Sequence, residues 1–249
     1  MASRDEMSTS FGAAAAAYES GRPGYPLEAV EWLLVPAGEH PRVVDVGAGT
    51  GKLTRTVALA GAEVVAIDPD SEMLATLRTS VPGIPTFVGS AEEMPLPPAS
   101  VDAVVLGQAW HWVDPDAGAR EVARVLRPGG VLGLIWNIRD ESVPWVKALT
   151  GAMRGSHAEE MLAGDGVRIG EPFGVPERRT WEWSRTITRT ALLDMVASRS
   201  YVITSSPDER ARILGAVERL FDDNRRVGDD GVEVVDLPYR TEAFRGIRP

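Results

Sequence analysis

The chain has 249 residues, of which 44% are hydrophobic and 25% charged, and a formal net charge of −10. These values predict one globular domain, with or without a cap, that contains enough apolar residues for a substantial core. The negative charge argues against a nucleic-acid partner, because nucleic-acid binders need a basic face. The absence of cysteine excludes disulfides and thiolate metal sites.

The sequence carries no metal-binding or targeting pattern. Its three histidines, His40, His111 and His157, are too scattered to suggest a zinc site. The alanine run 13–17 is too short for the core of a signal peptide, and no apolar stretch approaches the roughly 20 residues that span a bilayer. We therefore expect a cytoplasmic protein with no metal and no membrane partner, as a monomer or homodimer.

The first half of the chain alternates between strand and helix patterns. A helix is predicted over 27–34, behind Pro26. Strands are predicted near 42–47, 63–68, 85–88, 101–106 and 131–136. Nearly continuous apolar strands that alternate with helices predict a doubly wound α/β fold, with a mostly parallel sheet covered by helices on both faces. An amphipathic helix over 120–126 is expected to end at Pro128-Gly129-Gly130, as a turn into the fifth strand.

The pattern changes after Trp136. Residues 140–166 are predicted as a helical and looped insertion that covers the site, and 179–188 as a strand. Helices over 190–226, broken near 205–207, precede a last strand over 232–237. We expect a single domain (1–249) with an N-terminal cap segment (1–35), a ligand-binding core (40–137), and a lid insertion with C-terminal strands (138–249).

A glycine-rich turn follows the first predicted strand. Asp45 is followed by three glycines in the spacing G-x-G-x-G: Gly47, Gly49 and Gly51. Glycines let a ligand approach bare backbone, but this spacing is neither the dinucleotide fingerprint nor a P-loop. With the negative charge of Asp45, the turn favours a nucleoside that carries a cationic amino-acid tail over a phosphate.

A second carboxylate is predicted at the end of the second strand. Asp68 lies about 20 residues beyond the glycine turn, where an acid accepts hydrogen bonds from ribose hydroxyls in doubly wound folds. Asp70 or Ser71 is the expected N-cap of the next helix, and Gly61 the C-cap of the preceding one. Met73 is placed to contact a flat base.

Aromatic residues gather after the fourth and fifth predicted strands. Trp110 and Trp112 flank His111 directly behind the fourth strand, while Trp136 and Asn137 close the fifth. Large apolar walls with one titratable group are typical of a small-molecule pocket. In open parallel sheets such a pocket lies beyond the carboxyl ends of the strands.

Taken in their order along the chain, the motifs resemble those of class I S-adenosylmethionine-dependent methyltransferases of the small-molecule type (methyltransferase type 11). The matching motifs are Val43 to Gly51, Ala66 to Pro69 with Met73 and Leu74, Gly89 to Pro97, Ser100 to Asp102, and Leu126 to Gly130. The flanks resemble a branch that includes the trans-aconitate methyltransferase-like proteins, through Tyr18 to Pro26, Gln108 to Trp112, and Trp136 to Asp140. The resemblance implies a seven-stranded sheet with a late antiparallel strand pair and a helical lid.

The resemblance also implies a cofactor, S-adenosylmethionine, and its site. Ser90 stands where some relatives carry an aspartate, so Ala91 or Glu92 is expected to recognise the adenine. The residues expected to contact the cofactor are Arg22, Asp45, Gly47, Gly49, Thr50, Asp68, Met73, Ala91, Glu92 and Gln108. Those expected to contact the substrate are Tyr18, Tyr25, Trp110, Trp112, Asn137 and Arg139.

Methyl transfer needs a general base only when the acceptor must lose a proton. His111 is the candidate catalytic residue for that role, and the alternative is a histidine that only positions the cofactor or substrate by a hydrogen bond. Arg22 and Arg139 are candidate partners for a carboxylate of the cofactor or of the substrate. The expected acceptor is an oxygen, because no Asn-Pro-Pro-Tyr or Asp-Pro-Pro-Tyr motif is present to hold a planar amine.

Two other functions are compatible with a doubly wound sheet. One is a regulatory protein that binds S-adenosylmethionine without turnover, since methyl transfer requires no unique catalytic residue. The other is a nicotinamide-dependent reductase, which the glycine spacing disfavours.

Overall fold

The computed structural model describes residues 22–153 and 167–249. Its helices are α1 (Leu27–Leu34), α2 (Lys52–Leu59), α3 (Ser71–Ser80), α4 (Pro115–Val125), α5 (Pro144–Met153), α6 (Arg189–Ala197), α7 (Ser200–Ile203) and α8 (Pro207–Asn224). Its strands are β1 (Arg42–Val46), β2 (Glu63–Asp68), β3 (Thr86–Val88), β4 (Val101–Gly107), β5 (Leu126–Arg139), β6 (Glu177–Thr188), β7 (Arg226–Val227) and β8 (Glu233–Ile247). Short 3₁₀ turns occupy Val35–Ala37 and Trp110–Trp112.

The strands form one mostly parallel sheet in the order β3-β2-β1-β4-β5-β8-β6, with β7 paired to β8. The pairs β1–β2, β1–β4, β2–β3 and β4–β5 are parallel, and β7–β8 is antiparallel. Eight strands are present where seven were predicted, since the two-residue β7 adds one. The α/β fold with a late antiparallel pair is confirmed. Strand order reverses between β1 and β4, which is where open sheets of this class bind ligands.

Local chemistry explains where the helices begin and end. The Asp70 side chain accepts hydrogen bonds from the backbone N–H groups of Glu72 and Met73, so it is the N-cap of α3. Gly61 follows α2 with φ 86°, a left-handed conformation that suits a glycine at a helix C-terminus. The predicted helix over 27–34 is confirmed with the same bounds.

The predicted turn at residues 128–130 is not a simple turn. The helix ends at Val125, and β5 begins at once at Leu126. Pairing then shifts from Val101–Leu126 to Ala103–Val131, so the intervening residues form a bulge. Gly129 donates a backbone hydrogen bond to Arg248, and Arg248 donates one to Gly130. These contacts come from the end of the chain, which local sequence patterns do not reveal.

The described residues divide into two compact units. The sheet unit comprises 24–137, 167–181 and 241–249, and the helical unit comprises 22–23, 138–153 and 182–240. The core of the sheet unit includes Leu33, Val105 and Ile135, and that of the helical unit includes Leu149 and Phe221. The predicted lid contains α5 to α8, although 154–166 lie outside the described residues. Its covering role and the single-domain interpretation stay predictions.

Candidate active site

The first and second glycines of the turn after β1 serve different purposes. Both have positive φ, 68° at Gly47 and 55° at Gly49. A Cβ at Gly47 would stand 2.7 Å from the Cβ of Ala109, so this glycine permits close packing between the segments that follow β1 and β4. A Cβ at Gly49 would meet no heavy atom of the described chain within 4 Å. Packing therefore does not require a glycine at position 49, and open space beside bare backbone suits a ligand.

Asp45, near the end of β1, is completely buried. The Thr54 hydroxyl donates to its Oδ2 at 2.6 Å, whereas its Oδ1 is buried without a hydrogen-bond partner among the described residues. Burial raises the pKa of Asp45 from its ordinary 3.8 to about 7; the charge of Asp68 adds to the rise and the hydrogen bonds from Thr54 oppose it. A buried carboxylate oxygen without a hydrogen-bond partner among the described residues, next to the glycine turn, suits a cationic ligand.

Asp68 is the last residue of β2, and both of its carboxylate oxygens accept hydrogen bonds. Its Oδ2 accepts from the backbone N–H of Gly49 at 2.8 Å, and its Oδ1 from that of Asp70 at 2.8 Å. Burial raises the pKa of Asp68, and these two backbone donors oppose the rise. Each oxygen keeps a further lone pair for a ligand hydroxyl. The residue therefore also fixes the glycine turn, a role that the sequence did not reveal.

The other predicted cofactor residues of the sheet unit occupy varied environments. Met73 and Ala91 are buried at 4% exposure each, and Thr50 is completely buried. Glu92 is exposed, and its Oε1 accepts from the backbone N–H of Asp114 at 3.0 Å, which connects the loop after β3 to the start of α4. Glu92 therefore has a structural contact besides its predicted contact with adenine.

Gln108 and Asn137 link the ends of β4 and β5. Gln108 has φ 56°, an uncommon conformation for a residue other than glycine, and its Nε2 donates to the backbone oxygen of Asn137 at 2.8 Å. The Asn137 side chain donates to the Gly24 oxygen at 2.9 Å and accepts from the Thr241 hydroxyl at 2.7 Å. Asn137 thus holds together segments that are more than 100 residues apart in sequence.

Two of the predicted substrate residues pack against glycines. The Tyr25 hydroxyl lies 2.6 Å from the place of a Cβ at Gly107, so this glycine at the end of β4 makes room for the phenol. Trp110 is only 3% exposed, lies beside Gly118 and donates from Nε1 to the Arg168 oxygen at 2.8 Å. Trp110 therefore packs in the core, and its contact with the substrate stays a prediction.

His111 is half-buried between two indoles. Its ring centroid lies 4.9 Å from that of Trp112, at an angle of 44°. Nε1 of the fully buried Trp136 donates to Nδ1 of His111 at 3.4 Å. Trp136 in turn makes an edge contact with Phe244, with a centroid distance of 5.8 Å. The aromatic surroundings were predicted, but the hydrogen bond from Trp136 was not.

Arg22 and Arg139 belong to the helical unit. Arg139 is buried and donates from Nε to the Thr150 hydroxyl at 3.3 Å. Burial raises the pKa of Tyr239, and the positive charges of four arginines (Arg139, Arg199, Arg185 and Arg22) oppose the rise. The structure thus brings the two predicted arginines together with two more. Tyr18 lies outside the described residues.

Across 22–153 and 167–249, no three His, Cys, Asp or Glu side chains are grouped in a way that could hold a metal ion. None of the helices in this part of the chain has the length and apolarity that crossing a membrane requires.

Comparison with known proteins assigns the family. Residues 44–134 match the model of a methyltransferase domain. An uncharacterized methyltransferase of Mycobacterium bovis is 48% identical over 243 residues, which cover 98% of this chain and 97% of that protein. The chain belongs to the methyltransferase family. This result confirms the expected class and its cofactor, S-adenosylmethionine, and decides against the reductase. The trans-aconitate branch stays a prediction.

Two further comparisons are informative about this methyltransferase. A type II methyltransferase from Anaeromyxobacter dehalogenans has a solved structure that superposes with a TM-score of 0.65 at 26% identity, over 91% of this chain and 97% of that one. A malonyl-[acyl-carrier protein] O-methyltransferase of Methylococcus capsulatus is 40% identical over 133 residues, 49% of this chain and 48% of that protein. The space at Gly49 and the orphaned oxygen of Asp45 fit a cofactor with a cationic amino-acid tail.

Proposed function

We propose that this methyltransferase methylates an oxygen, hydroxyl or carboxylate, of a small-molecule metabolite. The observation that carries the proposal is the half-buried imidazole of His111 after β4, beside the indoles of Trp112 and Trp136. A polar group against aromatic rings is typical of small-molecule pockets, and an imidazole serves an oxygen acceptor either as a base or as a hydrogen-bond donor. The similarity to an O-methyltransferase from Methylococcus capsulatus supports an oxygen acceptor.

We propose that the cofactor is held mainly by the turn after β1 and by the two strand-end carboxylates. Asp45 would face the cationic tail with its Oδ1, Gly49 would let the cofactor approach the backbone, and Asp68 would accept from the ribose hydroxyls. The remaining proposed cofactor contacts are Arg22, Gly47, Thr50, Met73, Ala91, Glu92 and Gln108.

The proposed substrate contacts are Tyr18, Tyr25, Trp110, Trp112, Asn137 and Arg139, with His111 in contact with the acceptor. When bound, S-adenosylmethionine supplies a methyl group that the positive sulfur already activates for in-line displacement. The task of these side chains is then to hold the acceptor oxygen in near-attack geometry and to exclude water. Arg139 would pair with a substrate carboxylate, because a guanidinium binds carboxylates in a bidentate manner.

The experiment that tests this proposal measures transfer of a labelled methyl group. The enzyme is incubated with methyl-labelled S-adenosylmethionine and a panel of small acids, alcohols, phenols and amines, and the products are identified by mass spectrometry. We expect O-methylated products and formation of S-adenosylhomocysteine. Methylation of the amines alone would contradict an oxygen acceptor, and cofactor binding without any transfer would favour the regulatory alternative.

We also propose that the protein is cytoplasmic, has no nucleic-acid or membrane partner, and is a monomer or homodimer. The net charge of −10 supports the proposal about nucleic acid, because phosphate backbones repel an acidic protein. Analytical ultracentrifugation tests the oligomeric state, and a binding titration with duplex DNA at low salt tests the exclusion of nucleic acid.

A further inference from the structure

One backbone N–H group in the loop after β3 has no acceptor in the described part of the chain. Ser90 and Glu93 each donate from the backbone to the other's oxygen, at 3.2 and 3.3 Å, and the N–H of Glu92 donates to the Ser90 hydroxyl at 3.2 Å. Among the described residues the N–H of Ala91 has no such acceptor, although Ala91 is only 4% exposed. Since a buried donor without an acceptor is costly, this N–H suits an acceptor atom of a ligand.

The position of this N–H group depends on Met94. The mutual hydrogen bonds of Ser90 and Glu93 close a turn around Ala91. Met94 follows the turn directly, and its side chain is buried at 3% exposure. Because the closed turn moves as one piece, a shift of the Met94 peptide group would carry the N–H of Ala91 with it.

An ion pair of α4 holds both backbone polar groups of Met94. The N–H of Met94 donates to Oε1 of Glu121 at 2.7 Å, and the oxygen of Met94 accepts from Nη2 of Arg124 at 3.1 Å. Nη1 of Arg124 also donates to the backbone oxygen of Leu96 at 2.8 Å. The loop is thus attached to α4 by hydrogen bonds that each involve a charged side chain, and such bonds are stronger than those between neutral groups.

The two side chains of the ion pair also fix each other. Arg124 donates to Glu121 in a bidentate manner, from Nε to Oε2 and from Nη2 to Oε1, at 2.7 Å in both cases. Their i, i+3 spacing places them on the same face of α4. The helix is anchored in turn by Val122 and Val125, which are completely buried. The ion pair is therefore a rigid support for the loop.

We propose that Glu121 and Arg124 are positioning residues for the cofactor: they hold the loop 89–97 so that the N–H of Ala91 donates to a ring nitrogen of adenine. The proposal rests on the proposed cofactor site, in which Ala91 contacts S-adenosylmethionine. A hydrogen bond weakens steeply as it bends or lengthens. Because adenine is rigid, a small displacement of Met94 would therefore be enough to lose this contact.

The first test measures whether the protein recognises a ring nitrogen of adenine. S-adenosylhomocysteine and its 1-deaza, 3-deaza and 7-deaza analogues, each with one ring nitrogen replaced by C–H, are titrated into the wild-type protein by calorimetry. We expect one analogue to bind about 5–100-fold more weakly than the parent, because the N–H of Ala91 would be left without an acceptor. The other two should bind nearly as tightly as the parent.

The second test asks whether the ion pair places that N–H group. Arg124→Met removes the guanidinium but keeps an unbranched side chain. It should weaken binding of the parent ligand by about 5–100-fold and leave the affinity for the sensitive analogue nearly unchanged, so that the discrimination between the two ligands is lost. Arg124→Lys keeps the positive charge but has a single nitrogen, so it should keep part of the discrimination.

Two control variants separate positioning from a general loss of stability. Arg212→Met removes the guanidinium of a comparable pair on α8, in which Nε and Nη2 of Arg212 donate to Glu209 at 2.8 Å. It should leave both affinities unchanged. Asp68→Ala should weaken binding of both ligands by the same factor, because the ribose is common to both. A loss of discrimination confined to the variants of Arg124 would identify the ion pair as the support of the adenine contact.

The wild type and the variants test different statements. Equal affinity of the wild type for the parent and all its analogues would overturn the proposal, whether or not the variants fold. Full discrimination by folded Arg124→Met would overturn the role of the ion pair, and full discrimination by Arg124→Lys would do the same if Arg124→Met does not fold. Failure of the wild type to bind S-adenosylhomocysteine would contradict the proposed cofactor site itself, whereas the labelled-methyl experiment decides the nature of the acceptor separately.

Discussion

At the carboxyl ends of β1 and β2, three short-range features form the candidate cofactor site: the glycine turn, Asp45 and Asp68. At the ends of β4 and β5, the candidate acceptor site depends on contacts between distant segments, such as those of Asn137 with Gly24 and Thr241. The first region is organised by backbone conformation and buried carboxylates, and the second by side-chain hydrogen bonds and aromatic packing. Substitutions in the first should therefore reduce cofactor affinity, and those in the second should reduce stability and use of the acceptor.

The largest effect is expected from Gly49→Val. Its side chain would extend into the open space beside the turn, so S-adenosylmethionine binding should become undetectable by calorimetry. The positive φ adds a strain of about 1–2 kcal/mol to the folded state. Gly83→Val is the matched control, because Gly83 also has positive φ with no described heavy atom within 4 Å of a Cβ. It should lose similar stability but keep cofactor affinity. Normal binding by Gly49→Val would mean that the cofactor does not use this space.

Asp68→Ala should weaken S-adenosylmethionine binding by about 10–100-fold, because the ribose hydroxyls lose charge-assisted hydrogen bonds. It also removes the acceptor for the N–H groups of Gly49 and Asp70, so the free energy of unfolding should fall by about 1–3 kcal/mol. Asp70→Ala is the control: it removes the N-cap of α3, which costs about 1 kcal/mol, but should leave affinity near that of the wild type. Calorimetry and urea unfolding measure both quantities, and equal affinity losses in the two variants would contradict the role of Asp68.

The raised pKa of Asp45 predicts that the affinity for S-adenosylmethionine depends on pH. Because its pKa is about 7, the fraction that carries a negative charge grows as pH rises from 6 to 8, and affinity for the cationic cofactor should rise with it. Asp45→Asn should bind less tightly at pH 8, by about 10-fold, with little change in affinity over this range. Titrations at three pH values check this, and a wild-type affinity that falls as pH rises would contradict it.

The same carboxyl should affect stability in the opposite direction. Its pKa is higher in the folded than in the unfolded state, so its contribution is fully present below about pH 4 and is lost as pH rises to about 7. Without cofactor, Asp45→Asn should therefore be more stable than the wild type at pH 8, by about 1–3 kcal/mol. Thermal unfolding at pH 5 and pH 8 tests whether the gain grows with pH.

The smallest effect on cofactor affinity should come from Asn137→Ala. It removes the hydrogen bonds with Gly24 and Thr241, at a cost of about 1–3 kcal/mol in stability. Cofactor affinity should change by less than about 2-fold, because the affected segments belong to the acceptor region. Thr241→Val removes only one of the two bonds and should cost less. An affinity loss as large as that of Asp68→Ala would erase the distinction between the two regions.

The sequence by itself determined the parallel α/β order, most strand positions, the helix over 27–34 and the carboxylates at the ends of β1 and β2. Each depends on neighbours within about one supersecondary unit, because apolar periodicity, caps and glycine turns are local signals. The motifs near Gly49 and Asp68 also gave the family. Local patterns did not reveal the bulge at 128–130, which pairs with Arg248 from the end of the chain.

Only the tertiary structure decided which polar groups meet. The sequence placed His111 among tryptophans, but it left open whether the imidazole accepts or donates a proton. The structure adds a hydrogen bond from Nε1 of Trp136, 25 residues further along the chain, to Nδ1 of His111. Likewise, the sequence analysis assumed that Asp45 carries a negative charge. In the structure, complete burial raises the pKa of Asp45 to about 7. Protonation states depend on the dielectric surroundings and hydrogen-bond partners that folding assembles from distant segments, so a linear sequence does not specify them.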